Sequence, residues 1–339
     1  MSKVDIRFIA SQSQVSPATV SRVLNNSKTV SPELRSRVLA VVEKYDFHPN
    51  QMARSLISRK SRLIGIVTPK VSNAFHAELI SQIEACADRF QYDVIISNIF
   101  DDFEKEKKTF RVMRDRQVEG IILLHENSPE EIRVLQNIVD IPIVLATVRV
   151  KDSELPMVAV DDELAVFEAT RYLAQLGHIR IAGVFSDSYS AGTLRKKGFL
   201  DCIRSQGLDE SEISIFTAEC SFSGGKQIAK EILSKAPVPT AIFFTSDEMA
   251  IAAINQFQDS GYKVPNDISV FSFDDIELSS YIRPRLSTIH QPIQEIGIKA
   301  TELLLALIEG TIISQKQYLL PHQVIVRDSC ANPSRIPVN

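Results

Sequence analysis

The chain has 339 residues, 44% of them hydrophobic and 24% charged, and a formal net charge of −4. These are ordinary values for a globular protein with room for two or three domains. No apolar run approaches the roughly 18–20 residues of a membrane span, and Asp5 and Arg7 interrupt the first apolar positions where a signal peptide would need continuity, so the expected location is the cytoplasm. Cys86, Cys202, Cys220 and Cys330 are scattered without C-x-x-C spacing and the six histidines lie far apart; four reduced, buried thiols and no metal or cofactor are expected.

Residues 1–60 hold ten Lys/Arg against four Asp/Glu, a surplus of about six, which leaves the remainder acidic by about ten. Asp5 can cap a short helix that turns Ile6, Ile9 and Ala10 inward. Ser16 followed by Pro17 is a second helix start, an N-cap with proline in the first turn. Val20, Val23 and Leu24 then share one face, and Ala18, Ser21, Arg22 and Asn25 the other. Ser31-Pro32-Glu33 repeats the signal ahead of Leu34, Val38, Val41 and Tyr45 at helical spacing. Three short helices with a polar second one tipped by Arg22 describe a helix-turn-helix unit, whose second helix suits a DNA major groove.

Asn50 can cap a further helix to about Ser58, too short to be stable in isolation, so this stretch reads as a linker that becomes helical when something holds it. From Leu63 short apolar strands alternate with amphipathic helices. The strands are Leu63–Val67, Asp93–Asn98, Gly120–Leu124, Ile143–Val148, Ile179–Phe185, Ile213–Phe216, Ala241–Thr245 and Ile268–Phe273. Helices include Phe103–Arg116, Glu163–Leu176, Gly224–Ser234, Glu248–Ser260 and Pro292–Ile308. Continuous apolar strands between helices imply parallel sheets covered on both faces. So many units suit two doubly wound lobes, with ligands at the carboxyl ends of the strands and therefore in the cleft between lobes. The chain has no G-x-G-x-x-G, Walker loop or G-x-S-x-G, so no enzyme is expected. A transport-type binding protein would share the body but would need export and have no use for the head.

The stretch Val15-Ser16-Pro17-Ala18-Thr19-Val20-Ser21-Arg22-Val23-Leu24-Asn25 resembles the recognition motif of the lac repressor family of bacterial transcription regulators. Tyr45…Pro49-Asn50…Ala53-Arg54-Ser55-Leu56 resembles its hinge helix. Gly177-His178, Arg195…Gly198-Phe199, Ser246-Asp247-Glu248-Met249-Ala250, Ile268-Ser269-Val270…Phe273-Asp274-Asp275 and Thr288-Ile289-His290-Gln291-Pro292 resemble family landmarks in family order. The resemblance covers nearly the whole chain. It implies an α/β protein with an N-terminal helix-turn-helix head and a two-lobed, doubly wound, periplasmic-binding-protein-like core. The expected divisions are a DNA-binding domain at 1–48, a hinge at 49–61 and a core at 62–339. The core's lobes would be about 62–161 with 292–322, and 162–291 with 323–330. It departs from the family pattern at Ser13-Gln14, where the turn usually carries Ala-Gly, at Phe8, where an acidic residue is common, and at Thr147-Val148, where Asp-Arg is frequent.

The implied function is sequence-specific transcription regulation, expected as repression of carbohydrate-utilisation genes by a homodimer on a pseudo-palindromic operator. A sugar or sugar phosphate in the interlobe cleft would switch it. The alternative is a catabolite-control or purine-type regulator whose DNA binding a protein or small-molecule co-effector promotes. Arg22 would fork onto guanine and Ala18 would meet a thymine methyl. Ser16, Pro17, Thr19, Ser21 and Asn25 would set register on the backbone. In the hinge, Asn50, Ala53 and Arg54 would accompany Leu56, which the resemblance makes a minor-groove wedge. Effector contacts are expected from Asn73, Phe75, Arg195, Phe222, Ser246, Asp247, Asp274 and Gln291, with Arg195 and the carboxylates taking vicinal hydroxyls and the phenyl rings covering a sugar face. The tail Ala331–Asn339 has no apolar heptad, which favours a dimer over a coiled-coil tetramer.

Overall fold

The computed structural model describes residues 4–24, 29–47, 60–150, 152–187 and 189–333. The chain divides into two compact units, Met1–Arg62 and Leu63–Asn339.

In the first unit, α1 (Ile6–Gln12), α2 (Pro17–Leu24) and α3 (Pro32–Lys44) start where side chains satisfy their first backbone donors. Asp5 accepts from the Phe8 N–H at 2.8 Å, Ser16 from Thr19 at 3.1 Å and Ser31 from Leu34 at 3.4 Å. Ile9, Ala10, Val20, Val23 and Val38 form a small buried core. Phe8 packs edge-on against Tyr45, ring centroids 5.0 Å apart, so the departure from an acidic residue there adds to the packing around that core. Gln14 takes the left-handed φ of 51° that the turn before α2 requires. A glycine adopts that conformation without strain, and glutamine pays about 1 kcal/mol.

The second unit contains two six-stranded sheets. The first is built from β1 (Leu63–Thr68), β2 (Asp93–Asn98), β3 (Gly120–Leu123), β4 (Ile143–Ala146), β5 (Met157–Val160) and the late strand β11 (Gln317–Leu320), ordered β11-β5-β4-β3-β1-β2 and parallel throughout. Helices α4 (Ala74–Arg89), α5 (Phe103–Asp115), α6 (Pro129–Ile138) and α12 (Ile293–Ile308) belong to this lobe. The second sheet comprises β6 (Ile181–Phe185), β7 (Ser214–Thr217), β8 (Ala241–Phe244), β9 (Ser269–Asp274), β10 (Ser287–His290) and β12 (Gln323–Ile325), ordered β12-β10-β9-β8-β6-β7, with β12 antiparallel. Its helices are α7 (Asp162–Gln175), α8 (Arg195–Ser205), α9 (Phe222–Ser234), α10 (Asp247–Asp259) and the short α11 (Leu278–Tyr281). The chain passes between the sheets after β5, after β10 and after β11.

Two strand ends differ from the sequence expectation by two residues, and the others by one at most. Ile179 is exposed and the strand begins only at Ile181. The strand from Ile143 ends at Ala146, because Thr147 turns the backbone to a φ of 64°. Within α9, a Cβ on Gly225 would lie 2.2 Å from the Met249 carbonyl oxygen. That glycine lets α9 press against the first turn of α10, whose residues line the cleft.

Candidate nucleic-acid interface and effector cleft

On α2 the apolar and polar faces separate cleanly. Val20 and Val23 are buried, while Ser16, Pro17, Ala18 and Arg22 are exposed and Thr19 and Ser21 half-buried. Ser16 Oγ and Thr19 Oγ1 lie 3.0 Å apart, so these two hydroxyls also organise the helix start. Asn25, Asn50, Ala53, Arg54 and Leu56 lie outside the described residues.

In the second unit, the carboxyl ends of the two sheets face each other. The link between them is direct: Glu248 Oε1, in the first turn of α10, accepts from the backbone N–H of Ala74, the first residue of α4, at 3.0 Å.

The second lobe's wall centres on Arg195, which follows a π-helical turn and is almost fully buried. Its Nε donates to Asp162 Oδ1 at 2.8 Å and its Nη1 to the Thr245 carbonyl at 2.6 Å, and its guanidinium lies 3.6 Å above the Phe273 ring. Such a clamp fixes the plane of the guanidinium and leaves further N–H donors for a ligand. Asp274 accepts from Gln291 Nε2 at 2.9 Å. Burial pushes the Asp274 carboxyl well above the usual carboxylate range, against the pull of Arg195. Asp274 has a φ of 122° and Asp275 one of 60°, strained values for residues with side chains. Asp275 is held by Arg327 at 2.6 Å and His290 at 3.0 Å, which keeps this bend in place. Cys220 adjoins the same wall, its thiol raised to about 11 by burial despite the nearby Arg195.

Several expected contacts take other roles. Asp247 is fully buried; Ser272, Ser279 and Thr288 hydroxyls and the Ile276 N–H all donate to its carboxylate. Its lone pairs are committed, so it is an internal brace between α10, β9, α11 and β10, not a ligand contact. Phe75, expected to cover a sugar face, sits in the first turn of α4 and is only 6% exposed, packed into the core. Asn73 caps α4 by accepting from His76, and Ser246 caps α10 by accepting from Met249. Phe222 opens α9 and is 44% exposed, free to cover a ligand.

The first lobe's wall carries polar groups that sequence reading passed over. Thr68 and Asn98 end β1 and β2 in register. Past β3, His125 lies between Asp101, 3.4 Å from Nε2, and Glu106, 3.3 Å from Nδ1. Burial opposes a charge on His125, but its two carboxylate partners raise it to about 9. Asn127 Nδ2 donates to Glu106 Oε2 at 2.7 Å. The strand-end rule would have found His125 and Asn127, which follow an apolar run directly. Glu106 and Asp162 had no such signal, since helical spacing alone does not tell a buried carboxylate from a solvated one. Among the described residues no cluster of His, Cys, Asp or Glu has the arrangement of a metal site, and no helix is long and apolar enough to cross a membrane.

A small helix-turn-helix unit and a two-lobed body with a polar cleft in one chain define a ligand-sensing DNA-binding regulator. Residues 5–50 match the model of bacterial regulatory proteins of the lacI family, and residues 170–330 that of the periplasmic binding protein-like domain. The chain is 34% identical to catabolite control protein A of Priestia megaterium over 334 residues, covering 96% of this chain and 99% of that one. It superimposes on the lac repressor dimer bound to operator and an anti-inducer with a TM-score of 0.88 at 26% identity, covering 97% of this chain and 99% of the other. A LacI-family regulator of Enterococcus faecium with bound ribose gives a TM-score of 0.71 at 25% identity, covering 80% and 99%. The chain belongs to the lacI family of DNA-binding transcription regulators.

Proposed function

We propose that this regulator represses carbohydrate-utilisation genes by binding a pseudo-palindromic operator as a homodimer, in the cytoplasm, and that a sugar or sugar phosphate in the interlobe cleft switches it. The observation that carries the reading is the buried Arg195, clamped by Asp162 and Thr245 and stacked on Phe273, on the same wall as a strained Asp274. Donors and acceptors fixed in this way recognise the vicinal hydroxyls of a sugar. Two solved relatives support it: one was captured on operator DNA with an anti-inducer, the other with ribose.

On the DNA side, Arg22 reads guanine and Ala18 meets a thymine methyl, while Ser16, Pro17, Thr19 and Ser21 set register on the phosphates. Asn25 and the hinge residues Asn50, Ala53, Arg54 and Leu56, within a hinge at 49–61, complete the interface. In the cleft, Arg195, Asp274, Gln291 and Phe222 meet the effector, with Asn73 and Ser246 at its rim. A second reading follows from the relatives named catabolite control protein A, 34% identical over nearly the whole chain: a co-effector promotes DNA binding instead of releasing it.

Both are tested by thermal denaturation of the full chain against sugars, sugar phosphates and purines. A ligand at about a hundred times its dissociation constant adds near 2.7 kcal/mol, a clear rise in midpoint. Repeating the DNA titration with that ligand present then separates release from promotion.

A further inference from the structure

The first lobe's wall contains more hydrogen-bond acceptors than the protein satisfies. Glu106 is fully buried, yet only its Oε2 has a partner, and Oε1 has none. Asn127 is fixed in orientation by donating Nδ2 to that same Oε2, so its buried, unpartnered Oδ1 must be an acceptor. Around the adjacent strand ends, Thr68 Oγ1, Asn98 Oδ1 and His76 Nδ1 are also buried without a partner. Thr68 lies in register with Asn98, and its neighbour Val67 with Leu123, just ahead of His125, so these atoms belong to the same end of the sheet. Burial drives His76 down to about 4.

An orphaned polar atom in a protein interior costs about 1–3 kcal/mol, and several in one place call for an occupant. The charges specify its kind. Glu106 is fully buried with His125 as the cation beside it, while Asp101, which also feels Lys70, has a side chain 74% exposed and leaves the cluster open on one flank. A phosphate there brings only acceptors and more negative charge. An ammonium group brings three donors for the unpartnered acceptors of Glu106 and Asn127, with a charge opposite to that of the buried carboxylate.

We infer that the carboxyl ends of β1–β3 form a subsite for the ammonium group of an amino sugar, seated against Glu106 and Asn127. The inference rests on the cleft being the effector site and narrows the effector from sugars in general to amine-bearing ones.

The test is calorimetric titration of the full chain at neutral pH with glucosamine, galactosamine and mannosamine, their neutral parent hexoses, and the parents' 6-phosphates. At least one amino hexose should bind about tenfold or more tightly than its parent, with no heat from the 6-phosphates. Glu106→Gln, which keeps shape and removes the charge, should bring that amine and its parent to within about twofold of each other. A fold check on the ligand-free variant by thermal melting accompanies this comparison, and the wild-type panel decides the matter on its own. Neutral or phosphorylated hexoses binding as tightly as the amines would overturn the ammonium subsite while leaving the cleft reading in place. Silence from every sugar would overturn both.

Discussion

The carboxylate of Glu248 in the second lobe accepts a hydrogen bond from the Ala74 N–H in the first, across the cleft, at 3.0 Å. Ala74 opens α4, so its N–H is one of the helix donors without an intrahelical acceptor, and the carboxylate also meets the positive end of the helix dipole. Glu248 therefore latches the lobes together at the mouth of the proposed effector site. Glu248→Ala should weaken lobe closure by about 1–2 kcal/mol. A ligand bound by both walls should then lose roughly 5- to 30-fold in affinity by calorimetric titration. Unchanged affinity would mean that the contact follows closure without contributing to it.

Asp247, one residue earlier, should behave differently. Four donors, from β9, the segment after it, α11 and β10, converge on its buried carboxylate. Burial raises Asp247 to about 6, and the hydroxyls of Ser272, Ser279 and Thr288 hold it back from rising further. Asp247→Ala leaves those donors unpaired and should cost about 3–5 kcal/mol of stability, visible as a lower denaturation midpoint with no ligand present.

His178 gives a pH prediction. Its ring is buried between Thr240, at 2.9 Å from Nδ1, and the Ala331 carbonyl, at 2.9 Å from Nε2. Burial lowers it to about 4 from 6.5. Between those values the unfolded chain binds a proton that the folded chain refuses, so stability is fully present above pH 6.5 and falls as pH drops towards 4. His125, raised to about 9, acts in the opposite window, its contribution lost as pH rises from 6.5 through 9. Denaturant unfolding across pH should show the acid-side loss, and His178→Gln should reduce it, leaving the share of His76, which burial also lowers to about 4.

Arg22 is exposed on α2, one turn from the exposed Ala18. Arg22→Ala should cost about 1–3 kcal/mol of operator affinity and relax selection at one base-pair position. A selection from random duplexes with both proteins would show it. Equal weakening on all sequences would make Arg22 a phosphate contact instead.

Much of this was legible in the chain. Asp5, Ser16 and Ser31 announce helix starts because capping is a local interaction between residues three apart. The apolar strands announce parallel sheets because both of their faces are covered. The edge strands Gln317–Leu320 and Gln323–Ile325 were not legible, since they are half exposed and carry no continuous apolar run, and Met157–Val160 and Ser287–His290 went unread as well. The site was read in part. Arg195, Asp274 and Gln291 stand together on one wall, but Asp247 and Phe75 turned inward. Chain position cannot distinguish a carboxylate that faces a cleft from one that receives four internal donors. Glu106 and Asp162 went unread for the same reason: their burial is a tertiary fact.

Occupancy of the cleft should change DNA binding by the head. The most direct test takes a duplex selected by the full chain and titrates it by fluorescence anisotropy over about 50–200 mM salt, with and without a sugar that binds the cleft. Log affinity should fall linearly with log salt, and the sugar should displace that line, a displacement that Arg195→Ala abolishes. A line that the sugar leaves unmoved, while calorimetry shows the cleft filled, would contradict this coupling.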